Sequence, residues 1–247
     1  MSVSRIPWAH RKSIGRWRAY WRTNLMVIFR IERLADEIAR PVSFADAQRF
    51  RHVTVLVAWL TVLAWRGSLS IAHRERLFDE LRDPGSHFGW WLQALVVASA
   101  LFAAWLALLM MSGVGSYFFH PRGLPVIQQN RGIALSYYTC APLALLWLPA
   151  LCAGLAACLS TTDWVQDGPG KRWVNALVIA ATGFGAAIVF SCWVGIVSLM
   201  ARITRCGRGQ TITMTVYLPC AWALCAAVAA LIPAAVFYVS VVVLSFR

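Results

Sequence analysis

Five long apolar stretches, separated by short polar segments, constrain this chain more than any other feature. They cover residues 53–72, 90–112, 132–159, 173–201 and 211–244. Each is long enough to cross about 30 Å of hydrocarbon as a helix, at about 1.5 Å per residue. The apolar residues are bunched rather than alternating, and only 13% of all residues are charged. The sequence therefore predicts an all-α polytopic transmembrane helical bundle of five spans, with four or six spans as the alternatives.

The last apolar stretch, residues 211–244, is longer than one membrane span requires and contains two prolines. Pro219 and Pro233 could break it into pieces, so its continuity stays open at this point.

Charge is distributed unevenly between the two sides that five spans would define. One side carries sixteen Lys/Arg and four Asp/Glu, and the other carries seven Lys/Arg and six Asp/Glu. The positive-inside rule therefore places the N-terminus in the cytoplasm and the C-terminus outside. The formal net charge of +13 follows this topology, so nucleic acid is not an expected partner.

The residues that precede the spans divide into two predicted parts. Residues 1–13 are predicted to be a disordered basic tail, and residues 14–42 a cytoplasmic amphipathic helix at the membrane interface. The apolar residues of the second part recur at three- and four-residue steps. They are Trp17, Trp21, Leu25, Ile28, Ile31, Ala35 and Ile38.

Tryptophan and arginine at the edge of such a stripe are typical of a helix in the headgroup region of an anionic leaflet. The candidate lipid-surface residues are Arg16, Trp17, Arg18, Trp21 and Arg22. The alternative is a helix packed on the protein's own bundle, and one helix can do both. Pro41 ends this helix, and Ser43 with Asp46 forms a capping box that starts the five-span domain, residues 43–247.

The third predicted span is kinked by Pro142 and Pro149, because proline removes backbone hydrogen bonds. Polar side chains precede this span and enter it. Two uses compete for them: capping, anchoring and bonds between helices, or a ligand pocket at the kink. The residues of this possible pocket are Gln128, Asn130, Tyr137, Tyr138, Thr139 and Pro142.

Several kinds of chemistry are missing from the predicted spans. No Asp or Glu lies inside any of them, which disfavours a proton- or sodium-coupled carrier. The five histidines lie in the tail, at span edges or in loops, which disfavours intramembrane haem. The seven cysteines lack CxxC spacing, so zinc and iron–sulfur patterns are missing as well. The sequence predicts no catalytic residue, cofactor or metal ligand, and hence no enzyme.

A small-residue run and a tyrosine–proline element mark the passage from the second span to the third. The run is Gly113, Gly115 and Ser116, and the element is Ala134, Tyr138 and Pro142. In this order of features the chain resembles the bacterial branch of the Yip1-like membrane proteins. The resemblance implies a non-enzymatic protein of the bacterial inner membrane that binds other membrane proteins or shapes membranes.

We therefore expect an integral membrane protein with a membrane-organising or scaffolding role. Its expected partners are the bilayer, anionic lipids, and other membrane proteins or a second copy of itself. An accessory subunit of a larger membrane complex would explain the tryptophan-rich spans and the missing chemistry equally well. A transporter or lipid-handling protein would require the polar pocket near Pro142.

Overall fold

The computed structural model describes residues 4–72, 87–119, 126–160, 169–204 and 208–245. Over these ranges the chain forms α-helices and short 3-10 helices, and no strand. The first three residues of the predicted tail, and residues 73–86 and 161–168 in two of the polar segments between predicted spans, lie outside the described residues.

The N-terminal region consists of short helices followed by one long helix. The α-helices are α1 (Arg11–Ile14), α2 (Arg16–Phe29), α3 (Ile31–Asp36) and α4 (Phe44–Ala72). The 3-10 helices are Pro7–His10 and Glu37–Ala39. The Ser43 hydroxyl accepts a hydrogen bond from the backbone N–H of Asp46 at 3.3 Å, so the predicted start of α4 is confirmed.

Four of the remaining five helices are apolar, and the second is short and carries polar side chains. The five are α5 (His87–Val114), α6 (Val126–Ser136), α7 (Trp147–Ser160), α8 (Pro169–Thr204) and α9 (Arg208–Ser245). The 3-10 helix Gly115–Phe119 follows α5, and the 3-10 helix Tyr137–Leu145 lies between α6 and α7.

Four of the helical segments are long and apolar enough to cross a membrane. They are Ala94–Tyr117, Val126–Ser160, Gly170–Ile203 and Met214–Val239, with mean hydropathies of 2.0 to 2.4. In the most apolar 18-residue stretch of each segment at most 17% of the residues are buried inside the protein, so most of this apolar surface is open to a hydrocarbon environment. The first predicted span is the C-terminal part of α4 and is not among the four; the N-terminal half of α4 carries Asp46, Arg49 and Arg51.

The prolines act differently in different spans. Pro142 lies within the 3-10 segment Tyr137–Leu145, because it has no N–H to donate and its ring crowds the preceding turn. Pro149 lies in the first turn of α7, where the backbone N–H groups have no helical partner anyway. Pro219 and Pro233 lie inside α9, which continues through both. The last stretch is therefore one helix.

The chain divides into two compact units that each collect segments from the whole sequence. Unit 1 comprises Met1–Ala58, Leu108–Leu146 and Ala186–Leu224. Unit 2 comprises Trp59–Ala107, Trp147–Gly185 and Cys225–Arg247. The long helices therefore pass from one unit to the other.

Unit 1 holds a core of large side chains. An aromatic cluster joins the N-terminal region to the 3-10 segment, with ring centroids 5.4 Å apart for Tyr20 and Phe50 and 5.0 Å apart for Phe50 and Tyr138. The largest fully buried side chains all belong to this unit, and they are Tyr20, Tyr138, Phe50, Ile6, Leu34, Leu135, Leu199, Leu218, Glu37, Val55 and Asn24.

Unit 2 buries only small side chains among those the structure describes. Its buried hydrophobic residues are Ala103, Ala156, Cys225 and Ala229. Its large apolar side chains are half-buried or exposed instead: Trp173 is 63% exposed, and Ile179 71%. One of its tryptophans is tethered, since Trp59 Nε1 donates to the Leu101 carbonyl at 3.1 Å.

The described part of the predicted disordered tail is ordered. Ile6 is 0% exposed and Trp8 only 5%, and two short helices cover residues 7–14. Burial of Ile6 and Trp8 offsets the entropy cost of ordering this segment. The prediction of disorder rested on the basic charge of the segment and did not take this burial into account. This prediction was wrong for residues 4–13.

The predicted continuous helix within 14–42 is divided. Gly15 has a φ of 93°, a conformation that ends α1 and that glycine adopts without strain. Arg30, with a φ of −142° and a ψ of 50°, separates α2 from α3. Two breaks therefore replace one long helix.

Candidate membrane-surface site

The N-terminal arm, residues 4–14, is held against α2 and α4 by Trp8. The backbone N–H of Trp8 donates to Thr23 Oγ1 at 2.9 Å, and Trp8 Nε1 donates to the Asp46 carbonyl at 2.8 Å. Arg11 lies over the Trp8 ring and forms an ion pair with the Asp46 carboxylate at 2.7 Å. Because apolar, aromatic and charged contacts converge on one residue, Trp8 is the anchor of the arm.

A second anchor is the carboxylate of Glu37, which is only 2% exposed. It accepts hydrogen bonds from the Ser4 hydroxyl at 3.0 Å and from the backbone N–H of Arg5 at 2.9 Å, and it pairs with Arg40. A buried carboxylate needs such partners, since an uncompensated charge in the interior is costly.

Helix α2 has one face packed into unit 1. Its buried residues are Ala19, Tyr20, Thr23, Asn24 and Val27. This face lies against the 3-10 segment Tyr137–Leu145. The Tyr20 hydroxyl donates to Thr54 Oγ1 at 3.4 Å. Burial raises the pKa of the Tyr20 phenol above its ordinary value of 10.0, and the hydrogen bond to Thr54 partly opposes this rise. The position of α2 is therefore set by packing.

The opposite side of α2 is exposed and carries large apolar side chains. Trp17 is 63% exposed, Leu25 53% and Phe29 76%, and Trp21 is half-buried. Residues four apart on a helix lie along one side, so Trp17, Trp21, Leu25 and Phe29 form a continuous strip. The Trp17 ring stacks on Tyr20 at a centroid distance of 5.7 Å, which fixes the start of the strip to the packed face.

Basic side chains surround this strip. Five arginines of α2, its C-terminal junction and α3 are exposed, namely Arg16, Arg18, Arg22, Arg30 and Arg33. Within the described residues, none of these five takes part in an ion pair. All five predicted lipid-surface residues thus lie on α2. Four of them are exposed, namely Arg16, Trp17, Arg18 and Arg22, and Trp21 is half-buried. Phe29 extends the strip and was not part of the predicted apolar stripe.

Arg51 connects α4 to the C-terminal end of α5. Its Nε donates to Ser112 Oγ at 2.9 Å, its Nη2 donates to the Leu109 carbonyl, and its guanidinium lies 5.0 Å from the Tyr137 ring centroid. A cation at the C-terminal end of a helix satisfies free carbonyls and the helix dipole. A Cβ on Gly113 would lie 2.7 Å from Arg51 Nη2, so Gly113 makes room for this contact.

The six residues of the predicted pocket are separated by the fold. Gln128 and Asn130 are exposed on α6, whereas Tyr137, Tyr138, Thr139 and Pro142 are buried in the 3-10 segment. Tyr138 packs on Phe50, and Tyr137 lies between Phe44, at 5.5 Å, and Arg51. The two tyrosine rings thus form packing contacts, and the six side chains do not converge.

A small recess of about 20 Å³ nevertheless lies beside Thr139 in unit 1. It is lined by Met111, Ser112, Thr139, Cys140, Leu143, Val189, Cys192, Ile196 and Trp222. Its size corresponds to roughly one water molecule, too little for a lipid or an organic substrate. Of the predicted pocket residues, Thr139 alone lines it.

The fold and this surface define an all-helical protein with four helices apolar enough to cross a membrane. Within the described residues there is no group of three or more His, Cys, Asp or Glu side chains that could hold a metal ion. Comparison with protein-family models, curated proteins and solved structures finds no match for this chain.

Proposed function

We propose that this chain is an integral membrane protein without enzymatic activity, and that α2 attaches its N-terminal region to the inner leaflet. The observation that carries the proposal is the exposed strip Trp17, Trp21, Leu25 and Phe29, surrounded by arginines that have no acidic partner in the described part of the chain. A helix of this kind binds anionic lipid through apolar insertion and through about 1 kcal/mol per basic residue near the surface.

The role that follows is membrane organisation or scaffolding. α2 packs on the 3-10 segment of the third predicted span. A displacement of α2 at the membrane surface would therefore be transmitted directly to that span. The proposal includes the Yip1-like resemblance and five spans, with α4 as the first. In support, three of the six motif residues lie in close packing contacts: Gly113 faces Arg51, Gly115 faces Ile196, and Tyr138 faces Phe50.

The orientation in the proposal has the N-terminus in the cytoplasm and the C-terminus outside the bacterial inner membrane. It is supported by the exposed arginines of α2 and α3 and by the placement of Arg202, which pairs with Glu32 at 2.8 Å. Reporter fusions at each end test it, and finding both ends in one compartment would refute a five-span topology.

Photocrosslinking in the full-length protein tests the surface role of α2. Benzoylphenylalanine at Phe29, which is 76% exposed, should crosslink to phospholipid in reconstituted vesicles. The matched control is the same substitution at Phe50, which is 0% exposed and should give no lipid adduct. Lipid adducts at equal yield from both positions, or none from Phe29, would refute the proposal.

The electrostatic part has a separate test. Replacing Arg16, Arg18, Arg22, Arg30 and Arg33 with Gln should remove the preference of the Phe29 crosslink for phosphatidylglycerol over phosphatidylcholine. The total yield of lipid adduct should fall less, because the apolar strip is retained. An unchanged preference would rule out an arginine contribution.

An accessory-subunit role is the second candidate, and one observation favours it. Unit 2 leaves Trp173 63% exposed and Tyr238 70% exposed, and a partner's helices could cover such side chains as well as lipid. Gentle solubilisation followed by size analysis separates the two roles. A stable stoichiometric partner supports the subunit role, and a particle of this chain alone supports the scaffold.

A further inference from the structure

The 3-10 segment Tyr137–Leu145 is unusually long for its helix type. It has nine residues and lies between α6 and α7, inside the apolar segment Val126–Ser160. Runs of 3-10 helix beyond three or four residues are uncommon, and a 3-10 stretch inside a longer helix often marks a hinge. The length of the segment therefore requires a cause.

Pro142 alone does not account for this helix type. A proline removes one backbone hydrogen bond and crowds the turn before it, so its direct effect falls on the residues that precede it. The 3-10 form nevertheless continues beyond Pro142 to Leu145. In α9 the chain stays α-helical through Pro219, which is exposed, and Pro233, which is half-buried, whereas Pro142 is buried. The surroundings of the segment, together with its proline, therefore select the 3-10 form.

The segment presents a fully buried row with a spacing of three residues. Tyr138, Ala141 and Ala144 are 0% to 1% exposed. In a 3-10 helix these residues lie in one row, because side chains three positions apart eclipse each other. In an α-helix each step of three residues would turn the side chain by about 60°, since one turn takes about 3.6 residues. Burial of this row therefore favours the 3-10 form.

Helix α2 supplies a large part of the surroundings. Its packed face lies against the segment. The fit is incomplete at Asn24, which is 1% exposed: Nδ2 donates to the Tyr20 carbonyl at 2.9 Å, but Oδ1 has no hydrogen-bond partner among the described residues. An unpaired buried acceptor weakens the packed state, because the same oxygen would bind water if α2 moved away.

We propose that Tyr137–Leu145 is a two-state element whose helix type is set by α2. With α2 packed on it, the segment is a 3-10 helix; with α2 displaced, it continues α6 as an α-helix. The rise per residue is about 2.0 Å in a 3-10 helix and about 1.5 Å in an α-helix, so the segment shortens by about 4–5 Å. The position of α2 thus sets the length of the third predicted span, and this action does not require α2 to bind lipid.

Distances between two nitroxide labels in the full-length protein, measured by pulsed electron paramagnetic resonance, test the helix type. Labels attached to p-acetylphenylalanine at Ile127, which is exposed, and Leu146, which is half-buried, lie on either side of the segment and leave the native cysteines unchanged. The reference pair, Ile212 and Leu231, has the same sequence spacing, and both residues are exposed on α9, which is α-helical throughout. The first distance should exceed the second by about 3–5 Å. Equal distances would overturn the proposal.

Two glutamate substitutions on α2 test whether its packing holds the segment. Val27 is 4% exposed on the packed face, and Leu25 is 53% exposed on the opposite side. Val27→Glu should shorten the Ile127–Leu146 distance by about 3–5 Å, because a carboxylate on the packed face displaces α2. Leu25→Glu is the matched control and should leave the distance unchanged, since it adds the same charge to the exposed side.

Val27→Ala replaces Val27→Glu if the glutamate variant gives no monodisperse particle on size-exclusion chromatography. It removes only two methyl groups from the packed face and should add a second population at the shorter distance. Adding Asn24→Leu should diminish that population, because it removes the unpaired acceptor from the packed state. A distance that is unchanged in the Val27 variants, or that shortens equally in Leu25→Glu, would overturn the proposal.

Discussion

Units 1 and 2 share the long helices α4, α5, α8 and α9 but differ in how they bury apolar side chains. Unit 1 encloses Tyr20, Phe50 and Tyr138 at 0% to 1% exposure, together with polar anchors such as Glu37. Unit 2, in the side chains that are described, buries alanines and one cysteine and leaves its tryptophans half-buried or exposed. Unit 1 is therefore stabilised by its own interior, and unit 2 relies on whatever surrounds it.

This difference in burial determines where in the chain the sequence specifies a single side-chain arrangement. A core of interlocking aromatic rings and paired charges defines one arrangement of side chains, so a change inside it is strongly felt. An exposed apolar side chain of a membrane helix contacts lipid tails before helix packing and apolar side chains or lipid afterwards. Because these surroundings are equally apolar, substituting such a side chain changes stability little. Four substitution experiments test this difference between buried and exposed side chains.

The largest expected effect comes from truncating a core ring. Phe50→Ala should lower the free energy of unfolding by about 3–5 kcal/mol, because it leaves a cavity among Trp8, Tyr20 and Tyr138. The matched change in unit 2, Phe184→Ala, removes a side chain that is 44% exposed and should cost about 0.5 kcal/mol or less. Denaturant titration in detergent micelles measures both, and equal costs would contradict the comparison.

The second-largest effect is expected from removing Glu37, the buried carboxylate that holds the N-terminal arm. Glu37→Ala should cost about 3 kcal/mol, because it removes the acceptor of Ser4 and leaves Arg40 unpaired in a mostly buried position. Glu32→Ala is the control, since Glu32 and Arg202 are 70% and 48% exposed, and it should cost at most about 1 kcal/mol. Trypsin should also cleave faster after Arg5 in the Glu37 variant alone; unchanged cleavage would show that Glu37 does not hold the arm.

Two glycines give an intermediate effect of opposite sign. Gly113→Ala should destabilise the protein by about 1 kcal/mol, because the new methyl displaces the Arg51 guanidinium from two hydrogen bonds. In unit 2, nothing lies within 4 Å of a Cβ on Gly183, so Gly183→Ala should stabilise its helix by about 0.5–1 kcal/mol. Thermal unfolding in micelles reports both, and a stabilising Gly113→Ala would show that Arg51 yields at no cost.

The smallest effect concerns alkaline pH. The pKa of the Tyr20 phenol is raised by burial, so the folded state binds its proton more tightly than the unfolded state. This contribution to stability is fully present below the unfolded pKa of about 10 and is lost as pH rises through the raised value. Tyr20→Phe should therefore lose less stability than wild type between about pH 9 and pH 11, by a fraction of 1 kcal/mol.

Melting temperatures measured across this pH interval test the expectation. Parallel profiles for wild type and Tyr20→Phe would contradict a role for this phenol.

Much of the architecture could be predicted from periodicity and composition. The all-helical fold and four membrane-length helices are confirmed, as is the start of α4 at Ser43. The tail was mispredicted because local charge hides the long-range partners of Ile6 and Trp8. The pocket residues were grouped by closeness in sequence, but a helix turns Gln128 and Asn130 outward while Tyr137 and Tyr138 enter the core.

The sequence by itself determined what depends on local pattern: that the fold is helical, where four segments are apolar enough for a bilayer, and that arginines accompany the tryptophans of α2. Only the tertiary structure decided which face of α2 is buried, that Arg51 reaches across to Ser112, and that Cys140 and Cys192 share one recess. The physical reason is that hydropathy and helix propensity act over a few neighbouring residues, whereas packing joins residues tens of positions apart.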